Sequence, residues 1–124
     1  MVMPRLLPPL AAVDRRTIAE ITAALEEGWP VDSIVLYGSK ARGDDTPESD
    51  IDLLVLTGRQ LTPDEIGGMR AAARQVGLRL GTWPELFIRT SEEWWRGVYQ
   101  AAPIRKEIDA EGIDVLRHGA GGDR

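Results

Sequence analysis

The stretch whose reading decides the fold runs from Gly38 to Val55, GSKARGDDTPESDIDLLV. It follows VDSIVLY, residues 31–37, a β-branched and apolar run that predicts a buried strand. Gly38 breaks that strand, Ser39 to Arg42 is short and helix-compatible, and GDDTPES is a polar loop of turn residues. Asp50 to Thr57, DIDLLVLT, predicts a second strand, with Asp50 and Asp52 on one face because alternate strand residues point the same way. Ten residues lie between Ser39 and Asp50. The layout therefore predicts a Gly-Ser turn and a pair of carboxylates at the same end of neighbouring strands.

Working outward, Asp14 to Gly28 predicts a helix, with Asp14 as N-cap and Ile18, Ile21, Ala24 and Leu25 at helical spacing. Thr62, Pro63 and Glu65 read as the N-cap, first-turn proline and capping-box acid of a helix reaching about Val76. Leu78 to Leu80 either begins a third strand or only approaches it, the firmer part being Glu85 to Arg89, and Ser91 caps a short helix, SEEWWRGVY. A helix from about Ile104 to Glu111 follows, then a short strand from Ile113 to Leu116. The expected class is α/β (α+β), one small mixed sheet flanked by helices.

At 124 residues the chain is expected to be one domain, with residues 1–12 an N-terminal arm and 119–124 a disordered tail. No apolar run approaches the ~20 residues of a membrane span, and the proline-broken start does not read as a signal peptide. With no cysteine, disulfides, thiolate metal sites and Cys nucleophiles are excluded, and a cytoplasmic protein is expected. The net charge of -5 argues against stable nucleic-acid binding. The single histidine, His118, reads as a surface residue. Trp94 and Trp95 are consecutive on a helix and cannot both face one core, so one of them is expected to be exposed or to pack under the C-terminal segment.

Two aspartates at i and i+2 on a strand face are a rigid start to a divalent-cation site. Magnesium takes oxygen ligands, commonly one or two carboxylates with phosphate oxygens and water. A pair of such ions can serve both ends of an in-line phosphoryl displacement. A third carboxylate on an adjacent strand, about 4.8 Å away, would complete the set, and Glu85 opens its strand as Asp50 and Asp52 open theirs. Gly38 lets the backbone approach a phosphate without a Cβ, and Ser39 offers a hydroxyl. Lys40 and Arg42 would add positive charge near a triphosphate, Arg42 being preferred; its plainer reading is an ion pair with Asp44 or Asp45. Glu92 and Glu93 read as first-turn helix acids.

GSKARGDDTPESDIDLLV resembles the active-site signature of the polymerase-beta-like nucleotidyltransferases, in particular the minimal nucleotidyltransferase (MNT) group. Gly38, Ser39, Asp50 and Asp52 match that signature residue by residue. ELFIRTSEEW resembles the next core strand, with Glu85 where the family usually has aspartate, and Pro103 to Leu116 resembles the usual end of MNT proteins. The resemblance implies the polymerase-beta-like fold, magnesium-dependent NTP binding with Mg2+ in a two-metal site, and transfer of a nucleotidyl group from ATP. It further implies an antitoxin whose partner is a HEPN-type toxin, silenced by AMP placed on a tyrosine. Two other readings stand beside this one. The chain could neutralise its partner by contact alone, or, as a homo-oligomer with a shared cleft, modify a small molecule such as an aminoglycoside.

Overall fold

A computed structural model describes residues 9–118, with Arg117 and His118 described by backbone alone. Most of the expected N-terminal arm, the expected tail and the surface placement of His118 therefore lie outside the described residues. The chain runs α1 (Ala12–Gly28), β1 (Val31–Tyr37), α2 (Ser39–Arg42), β2 (Ile51–Thr57), α3 (Pro63–Leu80), β3 (Pro84–Thr90) and α4 (Ser91–Arg96). A 3-10 turn over Val98–Ala101, α5 (Pro103–Glu111), β4 (Ile113–Asp114) and α6 (Val115–His118) complete it. The four strands form one mixed sheet in the order β3-β2-β1-β4, with β2 parallel to β3 and antiparallel to β1. The expected mixed sheet flanked by helices is the observed one.

The central strand explains the two-layer packing. Leu53, Leu54, Val55 and Leu56 of β2 are all buried, as a strand covered on both faces requires. Leu53 and Val55 face Ile18, Ile21 and Leu25 of α1 and Met69, Ala73 and Val76 of α3. Leu54 and Leu56 face Trp94 of α4 and Ile108 of α5, with Phe87 beside them. Truncating any of these β2 leucines to alanine removes about 2–5 kcal/mol of stability. Trp94 is buried and its neighbour Trp95 half in solvent, so the tandem pair divides between core and surface.

Four local expectations change. Asp14 does not cap α1: Ala11 precedes the helix without a side-chain cap, and the Asp14 carboxylate is buried against Lys40. Leu78 to Leu80 is helix rather than strand approach, because α3 passes through Gly77 and ends at Gly81. Gly81 has φ +77°, the left-handed conformation that stops a helix cheaply only at glycine, and its N–H donates to the Gly77 carbonyl at 2.7 Å. Ser91 does not cap α4; Thr90 does, in a capping box with Glu93. The last strand stops at Asp114, whose Oδ1 accepts from the Leu116 N–H at 3.0 Å and turns the chain into α6.

Candidate active site

Strand register assembles the acidic row. Asp52 stands opposite Tyr37 of β1 and beside Glu85 of β3. Side chains at paired positions share a face, so Tyr37, Asp52 and Glu85 form one row across three strands, on the α4–α5 side of the sheet. Asp50 precedes β2 and is exposed, as is Glu85, whereas Asp52 is half-buried. The three carboxylates named from the sequence are thus gathered at one end of β2 and β3. Among the described residues no three such groups converge tightly enough to form a ready-made metal cage.

The turn after β1 closes directly on this row. Gly38 has φ +80°, and a Cβ there would lie 2.4 Å from Asp52 Oδ2. The close approach and the backbone conformation each demand glycine. Ser39 follows, half-buried, as the first residue of α2. The Gly38 N–H donates to Glu111 Oε2 at 2.9 Å. Arg42 donates through Nη1 to the same carboxylate at 3.2 Å and through Nε to Asp44 Oδ2 at 3.1 Å. The Asp44 pairing anticipated for Arg42 is present, joined by the Glu111 contact from α5.

Lys40 has a different occupation. Its side chain is only 1% exposed, and Nζ donates to Asp14 Oδ2 at 2.8 Å, Asp45 Oδ2 at 2.9 Å and the Thr46 carbonyl at 3.2 Å. An ammonium has three N–H donors, and all three are used. Burial alone would lower the Lys40 pKa, but the hydrogen bonds to Asp14 and Asp45 outweigh it and raise it. Asp45 is held below its ordinary value by the Lys40 hydrogen bond. Lys40 therefore ties α1, α2 and the following loop together, leaving no N–H for a phosphate.

Burial raises the pKa of Asp52, and the Asp50 and Glu85 charges add to the effect, Arg42 opposing them and Glu107 reinforcing them. The Tyr37 hydroxyl is pushed up to about 12, first by burial and then by Asp52, Glu107 and Glu85, so it stays protonated across the physiological range. A hard divalent cation would suit these carboxylate oxygens and would offset their mutual repulsion. Asp50 and Asp52, with Glu85 next to them, are the residues that fit it.

Sequence reasoning missed the contribution of α5. Glu107 and Glu111 lie four residues apart and so share a helix face, one acting electrostatically on Asp52 and Tyr37, the other bonded to the Gly38 turn. The i, i+4 acidic spacing was visible, but only the fold turns that face toward the carboxylate row.

The family model for the nucleotidyltransferase domain matches residues 18–108. No curated protein matches the chain by sequence. Two solved structures are similar in fold. One is a crystal structure of a toxin-antitoxin with AMP-PNP, at TM-score 0.56 and 19% identity, over 78% of this chain and 70% of that one. The other is a crystal structure of the toxin-antitoxin MntA-HpeT in a tyrosine-to-alanine mutant form, at TM-score 0.51 and 22% identity, over 76% of this chain and 67% of that one.

Proposed function

The chain belongs to the nucleotidyltransferase domain family, and from that premise we propose that it transfers AMP from ATP to a tyrosine of a HEPN-type toxin, as the antitoxin of the pair. The observation that carries the reading is the contact of Gly38 with Asp52, which sets a phosphate-compatible turn against the acidic row of Asp52 and Glu85. Toxin-antitoxin structures among the fold neighbours, one with AMP-PNP, support the choice of partner and nucleotide.

In this reading the Gly38 turn and the Ser39 hydroxyl hold the triphosphate, with Arg42 supplying positive charge beside them. Asp50 and Asp52 would hold magnesium, which would supply positive charge to offset that of the phosphates. Glu85 takes the proton of the acceptor hydroxyl as that oxygen bonds to the α-phosphorus and pyrophosphate departs. Glutamate in place of the family's usual aspartate moves the carboxylate outward by one methylene, and no tight three-carboxylate cage is present among the described residues. Those two observations favour a second reading, neutralisation by contact alone.

Co-expression with the protein encoded beside it separates the two. Asp50→Asn with Asp52→Asn abolishes neutralisation if the chain acts as an enzyme. Neutralisation that survives in this double variant establishes contact inhibition.

A further inference from the structure

A cleft of about 510 Å³ lies between α3 and the start of β3, and it opens at one end onto Asp50 and Glu85. Its α3 wall carries Gly67, Arg70, Ala71, Arg74 and Leu78 along one helical stripe, with the buried Ala73 also lining it, while Met69 and Val76 belong to the core. Gly67 and Ala71 leave the floor open. Arg70 is anchored through Nη1 to the Leu86 carbonyl at 2.8 Å, which fixes its guanidinium beside β3. Arg74 is exposed, with no carboxylate partner among the described residues. Leu78 and Trp83 form an apolar rim, 76% and 53% exposed, that no element among the described residues covers.

The place of this cleft in the sheet gives it a role. In an in-line displacement, the attacking oxygen and the leaving pyrophosphate stand on opposite sides of the phosphorus. The Gly38–Ser39 turn follows the end of β1 and meets Asp52 of β2 from the β1 side, while the cleft borders β3, the neighbour of β2 on its other side. A triphosphate held by the turn leaves the cleft side open to the nucleophile. Resting on the function proposed above, we propose that the α3–β3 cleft is the docking site for the acceptor. Its occupant is a protein segment that carries the tyrosine toward Glu85 and acidic side chains toward Arg70 and Arg74, with apolar contact to Leu78 and Trp83. The two arginines choose acidic flanks, and the rim supplies the burial that holds the segment.

The test uses three fluorescent peptides with one central tyrosine, flanked by aspartate and glutamate, by serine, or by lysine. Their binding to the full chain is followed by anisotropy, and binding of a non-hydrolysable ATP analogue with magnesium is measured in parallel. The acidic peptide binds best, Arg74→Glu weakens it by about tenfold, and the charge-matched Arg96→Glu on α4 leaves it unchanged. Trp83→Ala weakens all three peptides while the analogue still binds. Equal binding of the three peptides, binding of none, or an acidic preference that survives Arg74→Glu overturns the docking site. Failure of the analogue to bind, with the peptide preference intact, overturns the nucleotidyl-transfer reading instead.

Discussion

Gly38 and Asp52 are in contact across the β1–β2 pair, with a β-carbon on Gly38 falling 2.4 Å from the Asp52 carboxylate oxygen. Gly38→Ala must therefore displace that carboxylate and hold an alanine at φ +80°. The expected outcome is a loss of nucleotidyl transfer of about 100-fold or more, for a stability cost of about 1–3 kcal/mol, with the fold retained by circular dichroism.

Lys40 predicts the opposite pattern, structural damage first. Lys40→Met leaves the Asp14 carboxylate buried without its counter-ion and lowers stability by about 3–5 kcal/mol in urea unfolding. Adding Asp14→Leu to it recovers much of the loss, because the uncompensated charge is gone. If Lys40→Met unfolds at the wild-type urea midpoint, the buried ion pair is not holding α1 to the loop.

The same network fixes a pH dependence. Asp45 has a lowered folded pKa, so its contribution is present above the ordinary aspartate range and is lost as pH falls through the folded value. Lys40 has a raised folded pKa, so its contribution is present below the ordinary lysine value and is lost as pH rises through the folded one. Melting temperature against pH should fall at both extremes, and Lys40→Met should flatten both limbs.

The acidic row carries a repulsive cost that an added cation would offset. Asp52→Asn is expected to raise the melting temperature in the absence of divalent ions, since it deletes a half-buried charge facing Asp50 and Glu85. Magnesium should raise the melting temperature of the wild-type chain and leave Asp52→Asn nearly unmoved.

The strand, turn and acidic pair were legible because each is local. The β-branched run, the glycine that ends it and the alternation of Asp50 and Asp52 are set by residues a few positions apart. What escaped was decided at long range. Asp14 has the sequence of a cap, but Lys40, 26 residues away, draws it into the interior. Nothing near Lys40 distinguishes a buried ammonium from a solvated one. Glu111 meets Gly38 across 73 residues, and its role follows only once α5 packs over the sheet. The helix expected to reach about Val76 continues through Gly77, whose lack of a Cβ serves contact with Pro84, where an added Cβ would lie 2.5 Å away.

Nucleotidyl transfer is read directly by intact-mass spectrometry of the partner protein. The chain, its partner, ATP and magnesium are incubated together, beside the same mixture containing the Asp50→Asn and Asp52→Asn double variant. The expected result is a partner heavier by one AMP unit, carried on a tyrosine, in the first mixture and an unmodified partner in the second. A partner that forms a stable complex and stays at its original mass in both would contradict it.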